Sequence, residues 1–214
     1  MLLMLSLMPL SSTFAAEPNP KPQVIPSIQE WTGGTGHFTL GASSRITVDP
    51  AYATKLADTA NVFKADVQEV TGYDVEIETT AQPAAGDFFL TLHDETFDAI
   101  GDEGYDFEVD DVLTIRANTI TGVFYGTRTA LQILIHDPER SHIVKGVAKD
   151  YPKYETRGFM LDVGRKFFPI DFLEDYVKMM AWYKMNDFHL HLNDNAIFKD
   201  NSREHWNQYS AFRL

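Results

Sequence analysis

The sequence predicts an α+β domain followed by the opening βαβ portion of a (β/α)8 TIM barrel, on three observations. Between residues 27 and 152, short alternating strands and two amphipathic helices succeed one another without a repeating βαβ unit, the pattern of an α+β layer rather than a parallel sheet. From residue 153 the pattern becomes apolar strand, helix, apolar strand, a βαβ unit whose strands are parallel neighbours. Charge changes at the same point. Residues 1–152 hold 9 Lys+Arg and 22 Asp+Glu, net −13, whereas residues 153–214 hold 9 and 9, net 0.

At 214 residues and 44% hydrophobic, the chain has material for one sizeable core and a second domain. It has no cysteine, which excludes disulfides, thiolate metal sites and a cysteine nucleophile. The acidic first part repels phosphate backbones and anionic headgroups, so the expected partners include neither nucleic acid nor a membrane surface.

Taken in order, residues 1–16 join an apolar run, Leu2 to Leu10, to small residues ending at Ala15-Ala16. That is the signature of a secretory signal, and the run is too short to span a bilayer, so the expected location is extracytoplasmic with no membrane insertion. The basic start of such signals is missing, since no Lys or Arg precedes Lys21. Residues 17–26 carry Pro18, Pro20, Pro22 and Pro26 and read as an extended linker.

Within 27–152, "HFTLGASSRITVD" suggests an early hairpin. Leu56, Ala60, Phe63, Val67 and Val70 recur at helical spacing up to Thr71-Gly72. Strands are expected at "DVEIE" and "DFFLTL", a strand pair at "YDFEVDDVLTIRA" and a second helix at "GVFYGTRTALQILI". The acidic stretch "DETFDAIGDEGYDFEVDD" lacks the ligand ladder of a calcium loop and reads as a hairpin rim. His37, His93, His136 and His142 are scattered without ligand spacing.

Chemistry concentrates after Tyr154. "TRGFMLDV" is a short strand ending near Asp162-Val163-Gly164-Arg165, and "PIDFLEDYVKMMAWYK" places Leu173, Tyr176, Val177, Met180 and Tyr183 on one helical face. Asp171 and Glu174 have capping-box spacing, which predicts a helix start at Asp171. In "DFHLHLND", alternation sends Phe188, Leu190 and Leu192 to one side and His189 and His191 to the other. Parallel strands end at one mouth, where barrel active sites lie, so Arg165 and Asp194 are expected to meet there. A guanidinium fork and a carboxylate suit a hydroxyl-rich ligand. The same spacing also fits a salt bridge between adjacent loops, and hydrogen-bonded core histidines.

The stretch "RGFMLDVGRKFFPIDFLEDYVKMMAWYKMNDFHLHLNDN", residues 157–195, resembles the start of the catalytic barrel of family 20 glycoside hydrolases, the β-N-acetylhexosaminidases. The shared pattern is an Arg-Gly strand, Asp-x-x-Arg with two aromatics and Pro, a helix ending Tyr-Lys-x-Asn, and His-x-His-Leu-x-Asp. Upstream, "VIPSIQEW", "GDEGYDFEV" and "ITGVFYGTRTALQILI" are similar to that family's N-terminal α+β domain.

The resemblance implies removal of terminal β-linked N-acetylglucosamine or N-acetylgalactosamine from glycans, with retention and no cofactor or metal, the substrate's 2-acetamido oxygen acting as nucleophile. It implies that Arg165 and Asp194 hold the sugar, that His191 and His189 support the network, and that Arg157 and Asp162 are mainly structural. The family's acid and orienting carboxylates form an adjacent Asp-Glu pair, which does not occur in that context before Leu214. No catalytic residue is therefore expected in residues 153–214, which read as an incomplete barrel in a fragment inactive alone. Asn193-Asp194-Asn195 is similar to the disaccharide-releasing, lacto-N-biosidase type. Two alternatives stay open: a metal-dependent barrel hydrolase using His189 and His191, and a non-catalytic carbohydrate-binding remnant.

Overall fold

The computed structural model describes residues 16–193. The expected signal segment falls outside the described residues except for Ala16, and so does Asp194. Seven strands build the larger sheet: β1 (Glu30–Thr39), β2 (Arg45–Val48), β3 (Glu76–Thr79), β4 (Phe88–Leu92), β5 (Tyr105–Val109), β6 (Leu113–Ala117) and β7 (His142–Asp150). Their spatial order is β1-β7-β5-β6-β4-β2-β3. The β2–β3, β2–β4 and β4–β6 pairings are parallel, and β5–β6, β5–β7 and β1–β7 are antiparallel.

Helices α1 (Ala53–Thr71) and α2 (Ile120–His136) pack on this sheet and on each other. Helical spacing buries Leu56, Ala60, Phe63 and Val67 completely, and strand alternation buries Phe88, Leu90, Phe107, Leu113 and Ile115. Phe63 meets Phe88 edge-on at 5.0 Å, and Phe38 lies 5.3 Å from the same ring. α2 comes close to the sheet because Gly126 has no side chain. A Cβ there would stand 2.4 Å from Ile115 Cγ2.

Two expectations are corrected here. β1 and β2 are not a hairpin: β1 pairs with β7 at one edge, whereas β2 joins β3 and β4 near the other. Leu40 N still bonds Ser141 O beside β7, and the Gly41–Ser44 turn then carries the chain away. The sheet is also half parallel, because β2–α1–β3 is itself a βαβ crossover that the four-residue strands concealed. The proline-bearing segment is irregular but docked. Asn19 bonds Gly34 O at 2.7 Å and Lys145 O at 2.9 Å, and Ile25 N bonds Gln132 Oε1 at 2.8 Å.

The remainder is β8 (Gly158–Asp162), α3 (Ile170–Trp182) and β9 (Asp187–His191), with β8 and β9 paired in parallel as a separate sheet. α3 lays Tyr176 on Phe159 (4.9 Å) and Phe188 (5.6 Å), and buries Leu173 and Met180. Val177 is 49% exposed and Tyr183 39% exposed, so the expected apolar face is narrower than its spacing suggested. The helix starts at Ile170 rather than Asp171. Pro169 is its N-cap without a side-chain bond, and the Asp171 carboxylate accepts from the adjacent Phe172 N instead of closing a capping box. Among the described residues, no helix is long and apolar enough to cross a membrane.

Candidate functional site

The β8–β9 register fixes what lies at the strand ends. Gly158 pairs with Asp187 at the start and Asp162 with His191 at the finish, so both strands run out at the same end. Val163 N and Gly164 N both donate to His191 O, at 3.1 and 2.9 Å. The two exits touch there. A Cβ on Gly164 would stand 2.9 Å from Asn193 Cα and 3.0 Å from its N and C, so only glycine allows this approach. Residue 165 thus leaves β8 beside the backbone of residue 193.

Phe188 faces α3, and alternation puts His189 and His191 on the opposite face, opposite Met160 and Asp162 of β8. Arg165 turns back on Asp162. Its N–H donates to Oδ1 at 3.0 Å and its guanidinium to Oδ2 at 2.8 Å, an ion pair with the Arg side chain 42% exposed. The Arg165 N–H bond, with the Arg165 guanidinium and the His191 imidazole adding to it, holds the Asp162 carboxyl below its usual value. The structure therefore brings Arg165, Asp162 and His191 to one end, with His189 one step back along the same face. Asp194, the other expected sugar-holding residue, lies outside the described residues. Among the described residues, no group of three or more His, Asp or Glu side chains is placed to hold a metal ion.

Sequence reasoning overlooked the opposite end of these strands. Lys184, in the turn between α3 and β9, runs into the seven-stranded domain, donating to Asp150 Oδ2 at 2.9 Å and to the Tyr105 hydroxyl at 2.6 Å. Both ion-pair side chains are only 7% exposed. Tyr105 also donates to Asp150 at 2.6 Å and lies 2.5 Å from Thr129 Oγ1. Burial pushes the Lys184 ammonium below its usual value against the pull of Asp150, and burial with the Asp150 charge pushes the Tyr105 hydroxyl well up.

A second anchor involves Arg157, which bonds Glu103 at 2.7 Å and Lys184 O at 2.8 Å. Asn186 bridges the Arg157 N–H, Glu103 and Glu155 O. Arg157 thus ties the start of β8 to Glu103 and to the Lys184 turn. The only available signal for Lys184 and Asn186 was their place in the Tyr-Lys-x-Asn pattern.

Comparison with known proteins agrees with this layout. The model for glycosyl hydrolase family 20, domain 2, matches residues 21–151, and that for the family 20 catalytic domain matches residues 154–205. A lacto-N-biosidase from Bifidobacterium bifidum is 31% identical over 78% of this chain and 14% of its own length. A beta-hexosaminidase from Porphyromonas gingivalis is 28% identical over 82% of this chain and 23% of its own. A mutant Streptomyces plicatus beta-hexosaminidase solved with its product GlcNAc superposes with a TM-score of 0.73 at 28% identity, over 84% of this chain and 36% of that one. This chain therefore spans well under half the length of these relatives. With both matched regions falling on the two parts seen in the fold, the chain belongs to glycoside hydrolase family 20.

Proposed function

We propose that the full-length protein removes terminal β-linked N-acetylhexosamine residues from glycans, and that this chain supplies its α+β domain and the first two strands of its catalytic barrel. One observation carries the reading: β8 and β9 deliver Arg165, Asp162 and His191 to a single strand end, where residue 193 abuts Gly164. A partly exposed cation on a carboxylate at the carboxyl end of parallel strands suits a sugar's hydroxyl groups.

In this proposal Arg165 and Asp194 grip the hydroxyls of the terminal sugar, and His191 and His189 keep that network in place. The substrate's acetamido oxygen attacks the anomeric carbon while an acid beyond Leu214 protonates the leaving oxygen, and water then opens the intermediate with overall retention. No cofactor takes part. The likeness to a lacto-N-biosidase and the Asn193-Asp194-Asn195 sequence favour a second reading, release of a terminal disaccharide. The apolar run from Leu2 to Leu10 before Ala15-Ala16 supports an extracytoplasmic location.

The test is hydrolysis of aryl β-N-acetylglucosaminide and aryl β-lacto-N-bioside by the full-length protein, with product anomers followed by NMR. Release of the β-anomer first, undiminished by chelator, is the expected result. The initial α-anomer would refute the mechanism, cleavage abolished by chelator would favour the metal hydrolase, and no cleavage of either substrate would favour a binding remnant.

A further inference from the structure

The Lys184 and Arg157 anchors hold β9 and β8 at the ends remote from the sugar-facing residues. Lys184 has φ 57, a conformation that costs a residue with a Cβ energy and persists where surroundings over-determine it. Its side chain could extend into solvent from a turn, yet it crosses into the neighbouring domain and is buried on Asp150 and Tyr105. Asp150 is fixed in turn: its other oxygen accepts Gln29 N at 3.1 Å. The flanks of Lys184 are held too, by Gln132 Nε2 on Trp182 O at 2.8 Å and Tyr125 on Met185 O at 3.3 Å. Every one of these partners belongs to the seven-stranded domain.

We propose that Lys184 is a positioning residue for the glycosidase site: its buried ion pair with Asp150 fixes the start of β9 on the α+β domain and so sets where β9 delivers His191 and the residues after it. This rests on the functional reading above. From Asp187 to Asn193 the chain extends on the order of 20 Å at about 3.3 Å per residue. A tilt of about 5° at the anchored end would move the far end by ~2 Å, and displacements near ~1 Å already cost about 100-fold in rate. The α+β domain then acts as a frame for the first two barrel strands, with Lys184 holding one strand and Arg157, through Glu103, the other.

The test is the Lys184→Met/Asp150→Asn double variant of the full-length protein. It removes both charges together, so no lone ion is buried, and it leaves an oxygen to accept Gln29 N. Amide exchange should rise in peptides covering 187–193 and remain unchanged in 88–92 and 113–117. The thermal midpoint should stay within a few degrees, and kcat/KM should fall about 10- to 100-fold. Unchanged exchange over 187–193, or a kinetic loss that merely follows the folded fraction, would overturn the proposal. Should the double variant not fold, Tyr105→Phe removes just the hydroxyl between Lys184, Asp150 and Thr129 and is read by the same peptides. Exchange does not depend on turnover. A wild-type protein that cleaves no hexosaminide sinks the functional reading, whereas an active enzyme with normal exchange and kcat/KM in the variant sinks this one alone.

Discussion

Replacing Arg165 by Ala separates a sugar-holding arginine from one that merely ties a loop. In the structure the Arg165 side chain is 42% exposed and its guanidinium pairs with Asp162 at 2.8 Å. An ion pair that open to solvent contributes about 0–1 kcal/mol, so Arg165→Ala should leave unfolding free energy nearly unchanged. If the same group also donates to sugar hydroxyls, each charge-assisted bond contributes about 1.5–3 kcal/mol. Two such bonds amount to about 3–6 kcal/mol, or roughly 150- to 25,000-fold in kcat/KM. The assay is steady-state hydrolysis of an aryl β-N-acetylglucosaminide by wild-type and variant full-length protein, with denaturant unfolding of both. A loss under tenfold, or one explained by a matching loss of stability, would refute the assignment and leave Arg165 as a loop tie.

Two further outcomes follow from the same strand end. Gly164→Ala places a methyl 2.9 Å from Asn193 Cα, where backbone cannot yield, so denaturant unfolding should show about 1–3 kcal/mol of destabilisation and the glycosidase assay a fall in rate; wild-type values for both would show that the exits need not touch. Asp162 has a depressed folded value, so its stabilising contribution is present above about pH 4 and is lost as pH falls through that lower value. An NMR titration of its carboxyl carbon should give a midpoint below the ordinary 3.8, and Arg165→Ala should raise it; an unmoved midpoint would contradict the pairing.

The parts of the fold governed by local periodicity were legible in the sequence. Leu56, Ala60, Phe63 and Val67 mark α1 because a 3.6-residue repeat needs no knowledge of partners. The β8–α3–β9 unit was legible for the same reason, and its parallel pairing followed from the crossover. Pairing between remote segments was not. β7 is interrupted by Lys145, Gly146 and Lys149 and carries no clean alternation, yet it lies between β1 and β5. The hairpin expected for β1 and β2 failed because nearness in sequence does not choose an edge. Capping-box spacing at Asp171 lost to Pro169, whose fixed φ already suits the residue before a helix. Nothing local in the sequence marks Lys184, since its partner Asp150 stands 34 residues earlier and Tyr105 79 residues earlier. Glu103 was read as an acidic rim, yet it is half of an anchor with Arg157.

A crystal structure of the full-length protein with N-acetylglucosamine bound tests the central claim most directly. The expected result is a sugar at the common exit of β8 and β9, with the Arg165 guanidinium and the Asp194 carboxylate within about 3 Å of its hydroxyl oxygens. A sugar bound elsewhere, or Arg165 engaged with Asp162 alone beside an occupied site, would contradict it.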